Sequence, residues 1–249
     1  VEDIRSICDF AHLYGARVYV TLNTILYDDE LSEAEKMVGQ LYEAGVDALI
    51  TQDLALLKMN LPPIALHAST QMDTCTPEKA QFLERAGYSQ IVVARELSLR
   101  QLRAITSAVS VPIEGFVHGA LCVSYSGRCY VSQHCFGRSA NRGCCAQFCR
   151  LNFDLVDANG KVLSTGHQLS MRDMNRTESI EDMLDAGVSS FKIEGRLKDI
   201  NYVRNVTAHY RRQIDAIIER RPDEFRRSSY GTSKIGFTPQ VEKSFNRGF

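Results

Sequence analysis

The chain has 249 residues, 44% of them hydrophobic, enough to bury one large core of the size usual for an α/β barrel or a doubly wound sheet. A formal net charge of −1 gives no general pull toward nucleic acid. No apolar run approaches the roughly 18 residues a membrane span needs, so a soluble, cytoplasmic protein with no membrane partner is expected.

Taken in order, the chain opens inside an amphipathic helix pattern at 3–15. Strands are then predicted near 17–23, 47–51, 64–68, 89–94, 111–117 and 189–194, and further helices near 31–44, 76–86, 97–109, 178–186 and 201–220. An internal repeat links them. A helix ending in Ala-Gly and followed by an apolar strand recurs as LYEAGVDALI from Leu41, LERAGYSQIVVA from Leu83 and MLDAGVSSFKIEG from Met183, with a looser copy from Ala11. Glycine there suits a left-handed helix C-cap, and a nearly continuous apolar strand suits a sheet covered on both faces.

The pattern predicts a parallel (β/α) sheet: a TIM-type barrel, incomplete because its N-terminal units are missing, carrying a Cys-rich loop and a small β-hairpin insertion. The expected division is a barrel core over 1–220, interrupted by the loop and hairpin at 119–166, and a linker over 221–249 toward a missing C-terminal part. An open doubly wound sheet is the alternative, weakened by the lack of a glycine-rich dinucleotide fingerprint or P-loop after any strand. The hairpin reads from Asn152 to Ser164 with Asn159-Gly160 at its turn.

A barrel should gather polar residues at the C-terminal ends of its strands. They are there: Asn23; Gln52 and Asp53; His67, Ser69 and Gln71; Arg95 and Glu96; Glu114 and His118; then Lys192, Glu194 and Arg196. Any one of these could be a helix cap or a surface group. Lys192 and Glu194 alternate in an otherwise apolar strand, so both should point into the barrel mouth, for chemistry or as a structural ion pair.

Six of the eight cysteines fall between Cys122 and Cys149, leaving Cys8 and Cys75 apart. Such clustering favours a metal over a disulfide-stapled fold. Zinc usually takes close C-x2-4-C pairs, and only Cys145 and Cys149, spaced to share a helical turn, fit that. All-thiolate ligation at wide spacing suits an iron–sulfur cluster. Disulfides or plain buried thiols stay open on spacing alone.

No H-E-x-x-H helix, G-x-S-x-G elbow or Cys/His protease block occurs; Glu114 and Glu194 could form a carboxylate pair. For RNA, the arginines run from Arg204 through Arg211, Arg212, Arg220, Arg221 and Arg226 to Arg227. Interleaved acids make a solvated face the simpler account of that helix. Arg128, Arg138, Arg142 and Arg150 in the Cys-rich loop are better placed for phosphate.

The blocks EGFVHGALCVSYSGRCYVS, NRGCCAQFCR, HASTQ and SFKIEGRLK resemble the signatures of the collagenase-like U32 peptidase family along nearly the whole chain. That resemblance implies a barrel holding a 4Fe-4S cluster on Cys122, Cys129, Cys145 and Cys149. Some members take a ligand from a cysteine where this chain has Asn175, and many have proline in place of Phe148. The family includes reported proteases, hydroxylases acting on a wobble uridine of tRNA or a cytidine of 23S-type rRNA, and cluster-bearing partners in ubiquinone hydroxylation. In the hydroxylases prephenate is associated with the reaction as cosubstrate. The expectation is therefore an RNA hydroxylase in which His67, Glu114, His118, Lys192, Glu194 and Arg196 hold a small dicarboxylate and the target base, with a U32-type peptidase as the alternative.

Overall fold

The structure, a computed structural model, describes residues 1–195 and 198–249. Five strands, β1 (Tyr19–Leu22), β2 (Ala48–Thr51), β3 (Ala65–Ala68), β4 (Gln90–Val92) and β5 (Ile113–Gly119), pair in chain order, each parallel to the last. The hairpin follows as β6 (Phe153–Val156) and β7 (Val162–Gly166), antiparallel and separate from the main sheet. The short β8 (Met174–Asn175) runs antiparallel against the end of β5, and β9 (Ser190–Ile193) pairs parallel with β5. Strand order never reverses among the parallel strands. A doubly wound sheet needs such a switch point, so the order selects a curled half-barrel.

Helices α1 (Glu2–His12), α2 (Leu31–Glu43), α3 (Pro77–Ala86) and α4 (Leu99–Thr106) punctuate the first five strands. A short α5 (Val131–Phe136) lies in the Cys-rich loop, α6 (Ile180–Asp185) precedes β9, and the long α7 (Ile200–Arg220) follows it. Between β2 and β3 the connection carries only a 3₁₀ turn at Leu54–Lys58, capped by Asp53 accepting from the Ala55 N–H. The predicted Ala-Gly caps form; at Gly87 φ is 110°, and its N–H donates to the carbonyls of Leu83 and Glu84.

Alternation along the strands divides the core. Outward strand residues meet the helices: Ile91, Ile113 and Val117 share the larger cluster with Leu83, Ile105 and Met183, and Leu49 shares another with Cys8, Val38 and Leu41 of α1 and α2. The concave face holds a smaller group, Ile50, Val92, Phe116 and Met174. Central strands β2, β4 and β5 are buried throughout, whereas β1 and β9 at the two ends of the parallel path are only partly so. Full burial of one such side chain is worth about 1.5–3 kcal/mol, so the middle of the sheet carries most of the stability.

Residues after Arg221 have little regular structure but are docked. Asn205 on α7 donates to the Gln240 carbonyl at 2.7 Å and accepts from the Gln240 N–H at 2.8 Å. Val241 is 2% exposed, and the Tyr230 N–H donates to the Tyr14 carbonyl at 3.1 Å.

Candidate functional site

On the concave face, β5 and β9 bring Glu114 and Lys192 together. Their charged atoms lie 3.1 Å apart, and Glu114 also accepts from Gln90 at 2.8 Å and from Ser190 at 2.9 Å. Glu114 is 6% exposed, so this web supplies what burial of a carboxylate requires. Just past the end of β9, Glu194 pairs with Arg95 at 2.9 Å. The Arg95 guanidinium sits 4.1 Å over the Phe116 ring, with the Lys192 ammonium 5.6 Å away across it. Lys192 and Glu194 thus do share the inner face, each in an ion pair, and Glu114 and Glu194 face cations rather than each other.

The two histidines part company. His67 on β3 points inward, its ring edge-on to Tyr19 at 4.6 Å. Its Nδ1 is buried without a hydrogen-bond partner among the described residues, and burial lowers its pKa. His118 does not join it. The β5–β9 register shifts between Phe116 and His118, and the irregularity turns His118 toward α7, as a bulge does to the residue that follows it. There its Nδ1 lies 3.2 Å from the Tyr210 hydroxyl and its ring packs against Phe249 at 5.4 Å. Burial drives its pKa down to about 4, so it is neutral near pH 7. Its place at the C-terminal end of a barrel strand predicts His118 in the mouth with Lys192, and the bulge is what removes it. Arg196, the remaining expected member, lies outside the described residues.

Beyond the C-terminal ends of β3, β4, β5 and β9 lies a cavity of about 900 Å³, and Cys122, Cys129, Cys145 and Cys149 all line it, together with Arg95, Glu194 and Lys198. All eight cysteines are free thiols, which removes the disulfide alternative. Cys135 and Cys144 are not on the wall. Burial pushes the Cys149 thiol up, Arg150 opposes this, and the neighbouring Cys122 and Cys145 thiols add to the rise. Among the described residues no three His, Cys, Asp or Glu side chains converge tightly enough to hold a single metal ion.

Cys145 and Cys149 reach the cavity by a route other than the shared helical turn. Gln147 between them is left-handed, with φ of 54°, and a 3₁₀ turn starts only at Phe148. The Gln147 N–H donates to the Cys145 sulfur at 3.4 Å. The loop's shape is set by arginines. Arg150 donates to the carbonyls of Leu121 and Met171 and to Ser170. Arg142 clamps Glu30 and the Ile25 carbonyl, holding Glu30 down to about 2. Arg128 pairs with buried Asp73 at 2.5 Å. These side chains, expected at phosphate, are structural clamps first. Gly127 makes the closest approach: at φ of 72°, a Cβ there would stand 2.0 Å from the Gln71 carbonyl oxygen, which explains the glycine of the SGRC segment.

The family model for peptidase family U32 matches residues 1–249. The chain belongs to that family. Within peptidase family U32 it is 55% identical, over its whole length, to the 23S rRNA 5-hydroxycytidine C2501 synthase of Escherichia coli, covering 38% of that protein. It is 36% identical to tRNA hydroxylation protein P1 of Bacillus subtilis, over 87% of this chain and 54% of that one. The collagenase of Porphyromonas gingivalis is 34% identical over the whole chain and 62% of its own length. The chain therefore spans less than two thirds of each of these relatives. No described helix is long and apolar enough to cross a membrane.

Sequence reasoning missed Lys198 and Arg247 on the cavity wall. Lys198 is the last residue of the SFKIEGRLK block, and its charge was the signal that could have marked it. Arg247 carries no local signal, since a fold-back of the tail brings it there.

Proposed function

We propose that this chain carries the cluster-binding core of an RNA hydroxylase, acting on a cytidine of 23S-type rRNA or a tRNA wobble uridine, with a 4Fe-4S cluster on Cys122, Cys129, Cys145 and Cys149. The observation that carries the reading is that the four thiols line one cavity at the strand ends. The RNA assignment is supported by the relatives named for rRNA and tRNA hydroxylation. The donor set fits a cluster in kind: it is all sulfur, and it is spread around a cavity, whereas tetrahedral zinc, with Zn–S near about 2.3 Å, needs tight convergence.

Bound there, such a cluster would supply one-electron chemistry. The chain's own residues do the rest. The Gln147 N–H is directed at the Cys145 sulfur, and the arginine clamps hold the loop so that the thiols meet one space. Arg95 and Lys198 give that space cationic wall suited to a small dicarboxylate cosubstrate such as prephenate. Lys192, on the inner face, keeps ammonium protons beyond its bond to Glu114. Neutral His67, with its unpaired Nδ1, offers a hydrogen-bonding group on the inner face.

The peptidase alternative has less behind it. Among the described residues no cysteine is hydrogen-bonded to a histidine, and the candidate carboxylates are engaged with cations. A cluster would also occupy the thiolates such a protease needs.

The test is anaerobic purification, an absorption spectrum near the roughly 400 nm thiolate-to-iron band, and iron and sulfide assays beside Cys145→Ala/Cys149→Ala. Stoichiometric iron and sulfide, lost in the variant, are expected. Zinc alone, or metal-free protein with reactive thiols, overturns the cluster. Mass spectrometry of rRNA and tRNA nucleosides from a deletion strain tests the hydroxylation separately, and an unchanged nucleoside profile overturns it.

A further inference from the structure

A second cavity, of about 500 Å³, lies between the first turns of α7 and the folded-back tail, and it shares Asp199 and Phe245 with the thiol cavity. The two are therefore adjoining spaces with Phe245 at the boundary. Phe245 is 63% exposed. Its ring is flanked by cations, the Lys198 ammonium 4.0 Å and the Arg247 guanidinium 5.4 Å from its centroid. Deeper in the second cavity Phe237, 38% exposed, lies 5.9 Å from the Arg204 guanidinium.

The wall is firmly built. Asn205 donates to Ser244 Oγ at 2.6 Å as well as to the Gln240 carbonyl, and Arg212 donates to the Phe237 carbonyl at 2.8 Å. Of the acids beside the groove, Asp199 has its carboxylate engaged in capping α7, accepting from the Tyr202 N–H at 2.8 Å. Exposed arene faces held rigidly between cations are what an unstacked base and its phosphate need: the ring stacks the base, the cations take the backbone. A paired base inside an A-form duplex cannot reach such a ring. Most other arginines of α7 are engaged elsewhere, Arg211 with Asp215, Arg220 and Arg221 with Glu181.

We propose that this groove seats an unpaired ribonucleotide next to the target base, stacked on Phe245, with Arg204 and Lys243 at its phosphates. The proposal rests on the RNA reading above and adds the direction from which the strand enters. Phe245, Arg204 and Lys243 are exposed, so their replacement leaves the core intact.

The test is fluorescence anisotropy with a labelled single-stranded RNA of about 12 nucleotides and a duplex of the same sequence as control, where loss of one stacked base weakens binding about 10-fold. Phe245→Ala should show that loss, Phe245→Trp should bind within about twofold of the parent, and Arg204→Ala/Lys243→Ala should lower the salt slope by about 1.4. A 4-thiouridine probe should crosslink to the peptide holding Phe237 or Phe245. RNA that binds equally well to Phe245→Ala and crosslinks elsewhere overturns the groove while leaving the RNA reading standing. Failure of the parent protein to bind any RNA overturns both.

Discussion

The sheet and the Cys-rich loop are held by different forces. Parallel ladders and buried aliphatic side chains fix the strands, and each contact is one of many that are interchangeable. From Leu121 to Arg150 the chain is held mainly by single side chains reaching single backbone groups: Arg150 to the Leu121 and Met171 carbonyls, Arg142 to Ile25 and Glu30, and Ser132 accepting from the Ala146 N–H at 3.0 Å. A core built on burial fails globally. A loop built on clamps fails locally, and the thiols sit on the loop.

The contrast can be broken at either side. Ile91→Ala, at a fully buried β4 position, should cost about 3 kcal/mol in a urea titration, with the loop failing only when the whole protein does. A nearly equal effect should come from pH. Because His118 has a folded-state pKa of about 4 against 6.5 when free, the unfolded chain binds the extra proton first, and stability falls as pH drops from 6.5 toward 4. At the acid end the loss approaches about 3 kcal/mol, and His118→Gln should flatten that limb of a stability-against-pH curve. Burial is the main cause. His209 and Lys198 push the same way, while Asp173 and Glu242 oppose it.

Arg150→Ala should do the reverse of Ile91→Ala. Its unfolding midpoint should move by little, while half-buried Cys149 labels with a maleimide about 10-fold faster, because local opening is governed by the clamp and not by the core. The smallest effect is expected of Glu30→Gln, which keeps one acceptor for Arg142 and should raise the labelling rate of Cys144 and Cys145 by less than about threefold.

The same division explains what was legible in the sequence. Hydrophobic period and the repeated Ala-Gly cap placed every long strand and helix, because those signals are the forces that build the sheet. Inward alternation located Lys192 and Glu194 correctly, and motif resemblance gathered four cysteines that do line one cavity. What escaped was everything decided by one residue's irregularity. The register shift near Val117 sent His118 to the helix side, left-handed Gln147 removed the helical turn expected for Cys145 and Cys149, and the loop arginines proved to be engaged within the protein. Arg247 and Phe245 belong to a tail that reads as a linker by composition yet returns to the cavity.

That returning tail has a consequence for how the protein is made. Ribosomal synthesis delivers Gln71, the thiols and Glu194 well before Phe245 and Arg247, so the cavity wall is completed last. A nascent chain that has folded its strands therefore presents an open bowl of thiols, closed only when the segment around Phe245 emerges and lies down on α7.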